Sequence, residues 1–194
     1  MSQAPSVAVR SSTPGLAPAG IWDVDPSHSN VEFVVRHMFT KMRGRFSEFT
    51  GTIELGENLE DSKAEGTIAV AGIDTGNPDR DAHLRSPDFF DIEAFPSLSF
   101  RSTGVRPGAG GDLVLDGELT IKGVSRPVVL DVEFTGSAAD PFGGERAGFS
   151  ARTEIDREDF GLSWNVALET GGVLVGRKIR IELEIEAVRR QDSN

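Results

Sequence analysis

The three histidines of this chain, His28, His37 and His83, are the side chains best suited to acid–base catalysis or metal binding. None has a second histidine at the i,i+4 spacing that places two metal ligands on one face of a helix. The chain also contains no cysteine, which excludes a thiolate nucleophile and a cysteine-bound zinc. The sequence therefore predicts no metal site and no cofactor.

Short catalytic motifs are equally sparse. No Gly-x-Ser-x-Gly motif is present, and the Asp-Phe-Gly triplet at 159–161 lacks every other kinase element, so it is interpreted as a turn. The Gly-Ala-Gly-Gly run at 108–111 joins two predicted strands and therefore lacks the helix N-terminus that holds a phosphate. We expect no catalytic residues and a protein that is not an enzyme.

Two groups of polar residues could instead contact a ligand. Arg80, His83 and Arg85 could meet an anionic headgroup, although Asp81 and Arg85 are spaced i,i+4 and their surface pairing is the favoured interpretation. His37 shares strand parity with three apolar residues before it, which predicts an inward-facing imidazole. A hydrogen-bonded histidine at the rim is favoured somewhat over a ligand contact.

Charge and hydropathy limit the partners of the chain. Acidic residues outnumber basic ones by 31 to 20 over 194 residues, and a net charge of -11 repels nucleic acid and anionic lipid surfaces. No apolar run approaches the ~20 residues that span a bilayer, so stable membrane insertion is not expected. Residues 1–20 are rich in Pro, Ala, Ser and Gly without a signal-peptide core, which predicts a disordered tail and a cytoplasmic location.

From residue 29 onward the apolar residues recur with a period of two, which is typical of strands with one buried face. Eight strands are predicted, around residues 31–36, 49–55, 67–70, 98–101, 113–122, 128–134, 149–155 and 179–187. Such strands form either a sandwich or a closed barrel, and periodicity leaves both open. The protein is therefore predicted to be all-β.

Two long connections, 72–96 and 157–177, interrupt the strands and carry large apolar residues. In the first, Asn77 can cap a short helix that Pro78 starts and that continues to about Leu84. We place this helix across one mouth of the barrel, in the connection around 77–92. We interpret the aromatic residues of the two connections first as part of the packed core. Alternatively, they form a lid over the mouth of the barrel.

Five blocks of sequence, in order, resemble the YceI-like family. They are the run at 21–37 with Gly-Arg-Phe-Ser-Glu-Phe-Thr-Gly at 44–51, the run at 80–92, Phe-Pro-Ser-Leu-Ser-Phe at 95–100, the run at 117–128 and Asp-Arg-Glu-Asp-Phe-Gly at 156–161. The resemblance implies an eight-stranded antiparallel barrel similar to lipocalins, formed by residues 21–190. It also implies a polyisoprenoid or other long lipid in the lumen. Some members of the family are exported behind a signal peptide, and many are dimeric, so a homodimer is a further expectation.

The leading hypothesis is therefore non-catalytic binding, transport or storage of a long hydrophobic ligand in the lumen. The alternatives are an enzyme that acts on a small apolar substrate with His37 as general base, and a stress-related interaction protein with a filled barrel. Small inward positions such as Gly51, Gly117 and Ala151 are expected to leave room for the ligand. The predicted ligand-binding residues are Phe33, Val35, His37, Phe49, Ile53, Ile68, Val70, Leu84, Phe89, Phe90, Phe100, Leu115, Gly117, Leu119, Leu130, Val132, Phe149, Ala151, Phe160, Trp164, Ile181 and Leu183.

Overall fold

A computed structural model describes residues 16–141, 143–169 and 171–191, which form one antiparallel sheet closed into a barrel. Its strands are β1 (Gly20–Val24), β2 (Asn30–His37), β3 (Thr40–Phe46), β4 (Phe49–Leu55), β5 (Lys63–Ala69), β6 (Ile73–Asp74), β7 (Ser97–Pro107), β8 (Leu113–Ile121), β9 (Val124–Ala139), β10 (Glu145–Asp156) and β11 (Val175–Arg189). One α-helix, α1 (Pro78–Arg85), and 3₁₀ turns at Leu59–Asp61, Val70–Gly72, Ala109–Gly111 and Arg157–Phe160 lie between them.

The barrel has eight positions because several strands are interrupted by a bend. Strand β11 pairs with β10 on one edge, and on its other edge first with β2 and then with β1. Strands β1 and β2 therefore occupy one position of the barrel. The same holds for β3 and β4, which pair with β2 and β1, and for β5 and β6, which pair with β4 and β3. The prediction of an eight-stranded antiparallel barrel is confirmed.

The bends keep the backbone paired while the strands change direction. Between β1 and β2, the hydroxyl of Ser29 accepts a hydrogen bond from Glu186 N at 3.0 Å and replaces a missing ladder partner. Between β3 and β4, Ser47 N donates to Gly72 O at 2.9 Å. A Cβ atom on residue 72 would lie 2.8 Å from Glu48 N, so only glycine allows the two chains to approach this closely.

Ion pairs on the outer wall follow the strand register. Arg43 on β3 donates to Glu32 on β2 at 2.5 Å and to Glu182 on β11 at 2.6 Å. Glu32 and Glu182 are direct cross-strand partners, and Arg43 reaches both diagonally from its position opposite Val34. The Arg43 guanidinium lowers the pKa of Glu182 below its usual range. A one-residue slip of register would bury these charges, so the charged face and the apolar face specify the same pairing.

The end of the barrel opposite α1 is closed by apolar side chains. Trp22 on β1 is fully buried there, and its Nε1 donates to Pro18 O at 3.2 Å. Ala17 is also buried. The predicted disordered tail, residues 1–20, lies mostly outside the described residues, and its described part from Leu16 onward contacts the barrel.

Helix α1 begins as predicted. The Asn77 side chain accepts a hydrogen bond from Arg80 N at 3.0 Å, and Pro78 occupies the first helical turn. No helix among the described residues is long and apolar enough to cross a membrane.

The predicted surface pair between Asp81 and Arg85 is wrong. Asp81 is buried and accepts hydrogen bonds from Thr75 N at 2.9 Å and from the Thr75 hydroxyl at 2.5 Å. Arg85 donates instead to the carbonyl oxygens of Ala71 and Ile73, at 3.0 and 2.7 Å. The two side chains therefore attach the helix to the chain that enters it, because backbone groups near the end of β6 lack sheet partners.

Candidate ligand-binding lumen

The interior of the barrel contains two adjoining cavities. The upper chamber, of 490 Å³, lies beside α1 and the segment 157–174. The lower chamber, of 220 Å³, is surrounded by strand residues. A further space of 60 Å³ lies at the closed end. The chambers share a ring of five side chains that we call the constriction: Phe33, Phe46, Leu98, Ile121 and Ile181.

Two phenylalanines set the geometry of the constriction. The ring centroids of Phe33 and Phe46 are 5.7 Å apart with an interplanar angle of 45°. Phe46 also contacts Phe90, which follows α1, with centroids 6.2 Å apart in an edge-to-face arrangement. The Phe33 ring lies over Gly44, its direct cross-strand partner, where a Cβ atom would clash with it. The width of the passage between the chambers therefore depends on these aromatic rings.

Inward-facing glycines differ in the space they leave. At Gly117 the space is taken by the Phe100 ring, with which a Cβ atom would clash, so the expectation that this residue leaves room for a ligand is wrong. Gly51 and Gly66 are cross-strand partners that line the lower chamber. At Gly66 the nearest contact of an added Cβ would be the backbone oxygen of Thr50 at 3.3 Å, so no side chain covers it.

Aromatic side chains hold the two long connections together above the upper chamber. The His83 ring on α1 meets Trp164 edge-to-face with centroids 4.6 Å apart, and meets Phe89 at 5.1 Å. Phe89 and Trp164 are 5.3 Å apart. His83 Nε2 also shares a hydrogen bond of 2.9 Å with Asp88. The residues of the two connections thus form one covering layer, which we call the lid.

Arg157 fixes the second half of the lid from inside. Its side chain is buried, and its guanidinium donates to the carbonyl oxygens of Leu162, of Trp164 at 3.0 Å and of Gly176 at 2.9 Å. A further bond of 3.3 Å reaches Val175 O. Burial lowers the pKa of Arg157 from its ordinary value. Because its donors serve backbone carbonyls, we assign Arg157 to the support of the lid rather than to recognition of an anion.

Few polar groups reach the upper chamber, and most of them are already bonded. Arg80 donates to the hydroxyl and the carbonyl of Thr75, at 2.7 and 2.8 Å. The half-buried His37 ring lines the chamber and has no hydrogen-bond partner among the described residues. Its polar edge is therefore free to meet the head of a ligand or a water molecule.

Most of the predicted ligand-binding residues line one or both chambers. Those in contact with the upper chamber are Phe33, Val35, His37, Leu84, Phe89, Phe90, Trp164 and Ile181. Those in contact with the lower chamber are Phe33, Phe49, Ile53, Ile68, Phe100, Leu115, Leu119, Leu130, Val132, Phe149, Ala151, Ile181 and Leu183.

Val70, Gly117 and Phe160 line neither chamber. Val70 lies in the 3₁₀ turn after β5 rather than in a strand, and it is buried in the core, as is Phe160.

Sequence interpretation missed strand β3 and with it Met42 and Phe46. Both line the upper chamber, and Phe46 also forms part of the constriction. The signal was present, because Met42, Gly44 and Phe46 alternate with Lys41, Arg43 and Arg45. A glycine in the middle of the apolar face weakened the pattern. Arg157 was also missed, and nothing in its local sequence distinguishes it from an exposed arginine.

Three potential metal ligands lie together on the outside of the barrel. Polar atoms of Asp25, His28 and Glu186 are within 4.8 Å of one another. Arg146 donates to Asp25 at 2.8 Å and to Glu186 at 2.5 Å, and its guanidinium occupies the place that a cation would take. Hydrogen bonds from Arg146 and His28 lower the pKa of Asp25 far below its usual range. The cluster is therefore an ion-pair network that joins the turn after β1 to β10 and β11.

Comparison with known proteins gives consistent matches along the chain. The family model of the YceI-like domain matches residues 22–187. A UPF0312 protein of Shewanella denitrificans is 33% identical over 170 residues, which cover 87% of this chain and 86% of that protein.

Two solved structures are similar to the barrel. The YCEI protein of Campylobacter jejuni superposes with a TM-score of 0.70 at 29% identity, over 80% of this chain and 90% of that one. A polyisoprenoid binding domain from Saccharophagus degradans gives a TM-score of 0.66 at 14% identity, over 89% of this chain and 100% of that one. The second likeness concerns the fold alone.

Proposed function

The chain belongs to the YceI-like family, and from this premise we propose that it binds a long hydrophobic molecule in the barrel and carries or stores it without chemical change. A polyisoprenoid or a similar lipid is the proposed ligand. The observation that supports the proposal is the pair of adjoining chambers, 490 and 220 Å³, lined mainly by aliphatic and aromatic side chains. The name of the Saccharophagus degradans domain, a polyisoprenoid binding domain, favours the same ligand class.

The volumes agree with an elongated ligand. At about 30 Å³ for a group the size of water or methylene, the upper chamber holds at least about sixteen carbons and the lower at least about seven. Each buried methylene contributes about 0.8 kcal/mol, so the upper chamber alone supplies on the order of 10 kcal/mol before the costs of ordering the ligand. Because this energy is not directional, the site selects length and girth rather than fine chemistry.

A non-catalytic role agrees with the polar groups of the chamber. A general base needs a partner that orients it, and the His37 ring has no carboxylate bonded to it among the described residues. Arg157 and Arg80 are bonded to other groups of the protein. His37 is better suited to a single hydrogen bond with the head of a ligand, which would set the direction in which the chain is held.

Native mass spectrometry of the freshly purified protein, followed by solvent extraction, tests the proposal. We expect a co-purified apolar molecule of defined length that leaves the protein only on denaturation or extraction. The Ala151→Phe variant, purified in parallel, is the matched control because its lower chamber is filled.

Two outcomes contradict the proposal. One is a protein that carries nothing and takes up no isoprenoid alcohol when solanesol is added, which would indicate a barrel filled by its own side chains. The other is conversion of the extracted molecule into a product by the purified protein.

A further inference from the structure

Large apolar side chains are exposed beside the mouth of the barrel. Phe39 is 81% exposed, Val173 50%, Val166 45% and Met38 39%. Among the described residues, only Ile21 and Val129 are other large apolar side chains with comparable exposure. Four of these six residues therefore lie on two neighbouring hairpins. Single exposed apolar residues are ordinary on a protein surface, but a cluster of them indicates an interaction site.

Hydrogen bonds bring the two hairpins together. Met38, in the turn between β2 and β3, donates through its backbone N to Leu174 O at 2.9 Å. Leu174 N donates to Val166 O at 2.9 Å, and Ala167 pairs with Val173 in the second hairpin. We call Met38, Phe39, Val166 and Val173 the apolar rim. The rim is continuous with the ligand site, because His37 and Leu174 beside it line the upper chamber.

Charges of both signs lie near the rim, and the cations are on the hairpin that carries Phe39. Arg36 and Lys41 are direct cross-strand partners on the outer face, one step from the hairpin tip, and both are exposed. Neither forms an ion pair with a described residue, and like charges placed opposite each other destabilise a strand pair. Exposed acidic groups near the mouth, Asp79 and Glu169, lie on α1 and on the second hairpin. The net charge of -11 opposes approach to an anionic surface, so binding there depends on this local cationic pair and on the exposed phenylalanine beside it.

We propose that the apolar rim docks on the surface of an anionic lipid bilayer, with Phe39 in the interfacial layer and with Arg36 and Lys41 beside the lipid phosphates. Apolar residues flanked by cations are the combination that binds peripheral proteins to such surfaces. A second copy of the chain fits the same surface poorly, because a two-fold contact would bring two such cationic pairs together. This inference goes beyond the proposed function, because docking needs no ligand in the lumen.

The consequence for a carrier is that the mouth faces the membrane. A long apolar chain could then pass between the bilayer and the upper chamber without entering bulk water. Transfer of such a chain into water is unfavourable because its apolar surface becomes exposed.

Flotation with vesicles tests docking directly. The full-length protein is mixed with vesicles of phosphatidylcholine alone or with added phosphatidylglycerol, and the bound fraction is measured after a density gradient. We expect binding to the anionic vesicles that weakens as salt is raised. Phe39→Ser should reduce the partition coefficient about tenfold or more, and Arg36→Gln and Lys41→Gln about fivefold each.

Matched variants at other surfaces are the controls. Val129→Ser removes an apolar residue on the outer wall that is 50% exposed, and Lys63→Gln removes a cation near the closed end. Both should bind vesicles as the unmodified protein does, and so should Ala151→Phe, which changes only the lumen.

Several results would overturn the proposal. They are an absence of binding to anionic vesicles, equal binding by Phe39→Ser and Val129→Ser, and equal binding to neutral and anionic vesicles. Dissociation of a dimer by Phe39→Ser in size-exclusion chromatography with light scattering would also overturn it, because the rim would then be a protein interface. Loss of ligand in Ala151→Phe with retained docking would separate this proposal from the proposed function.

Discussion

Filling the lower chamber should weaken the binding of long ligands and spare short ones. Ala151 on β10 faces the lower chamber, has Val132 and Leu183 as cross-strand neighbours, and does not line the upper chamber. Ala151→Phe places a ring in a space of 220 Å³. The change leaves the mouth, the lid and the constriction as they are.

The magnitude follows from the volume. A phenyl group adds about six carbons, and the lower chamber accommodates at least about seven, so the variant excludes most of the ligand that reaches this depth. At about 0.8 kcal/mol per methylene the gross loss is about 5 kcal/mol. Roughly half is offset because the excluded part of the chain stays mobile, which leaves a loss of about 2.5 kcal/mol, or about sixtyfold in affinity.

The assay compares two isoprenoid alcohols of different length. Trp164 lines the upper chamber, so its fluorescence reports a ligand there, whereas Trp22 is fully buried at the closed end and supplies a constant background. Solanesol is long enough to pass the constriction, and farnesol fits above it. We expect Ala151→Phe to lose solanesol affinity by about sixtyfold and to bind farnesol within about threefold of the unmodified protein.

Arg152→Phe is the control, because the neighbouring side chain on β10 points outward and is 73% exposed. It should bind both alcohols normally. Thermal unfolding of both variants checks that the barrel is intact. If folded Ala151→Phe bound solanesol as tightly as the unmodified protein, the ligand would not enter the lower chamber. Equal losses for both alcohols would likewise refute the assignment of two chambers in series.

Two further variants test the lid and the outer ion-pair network. Arg157→Met keeps an apolar stem but leaves buried carbonyls without donors, so its free energy of unfolding in urea should fall by about 3 kcal/mol or more. The control Arg152→Met, at an exposed position, should lose less than about 1 kcal/mol. Equal losses would mean that the buried guanidinium does not support the lid. Asp25 has a pKa lowered by Arg146 and His28, so its stabilising contribution is present above the unfolded carboxyl pKa of about 4 and is lost as the pH falls toward the folded value. Asp25→Asn should therefore unfold more easily at neutral pH, with a difference that shrinks in acid, and a difference independent of pH would contradict the assigned ion pair.

The fold could be predicted from the sequence because alternating apolar and polar residues along most strands indicate which face is buried. Alternation along β11, from Ile179 to Ala187, survives because the charged residues between them face outward on the same wall. Strands β1 and β3, each of which shares a barrel position with another strand, were not predicted. Strand β1 has five residues, and β3 has a glycine at the centre of its inward face. Strand β1 is specified by pairing with β4 and β11, which no local pattern contains, whereas β3 pairs with its neighbour β2 and its own alternation is weakened by Gly44.

The lumen was less predictable than the wall, because strand parity says which residues face inward but not what fills the space between them. Gly66 and Gly117 are equivalent in the sequence pattern. The Phe100 ring lies over Gly117 and leaves Gly66 open, so one glycine completes the packing and the other enlarges the chamber. Gly117→Leu would therefore displace Phe100 before it narrowed the lumen. The free volume at either glycine depends on the rotamer of one side chain on the neighbouring strand β7.

Arg157 shows a different limit of sequence reasoning. It stands between Asp156 and Glu158, which is typical of an exposed residue in an ion pair. Those acidic residues pair instead with Arg177, at 2.9 and 3.1 Å, and the Arg157 side chain turns inward to carbonyl groups of the lid. A segment without regular structure leaves backbone groups unpaired, and a single cation that satisfies several of them is stable even when buried.

The two chambers differ in what surrounds them, and this difference assigns them different roles. The lower chamber is walled by strands alone, whereas the lid, which includes α1, supplies part of the upper wall. Strands in a closed barrel cannot separate without breaking ladder hydrogen bonds, but helix and loop segments open at lower free energy. Under the proposed function, a ligand therefore enters the lumen through the upper wall, and lid residues such as Trp164 should set the rates of uptake and release. The rigid lower chamber should set the length of chain that is retained, since its depth is fixed when the lid opens.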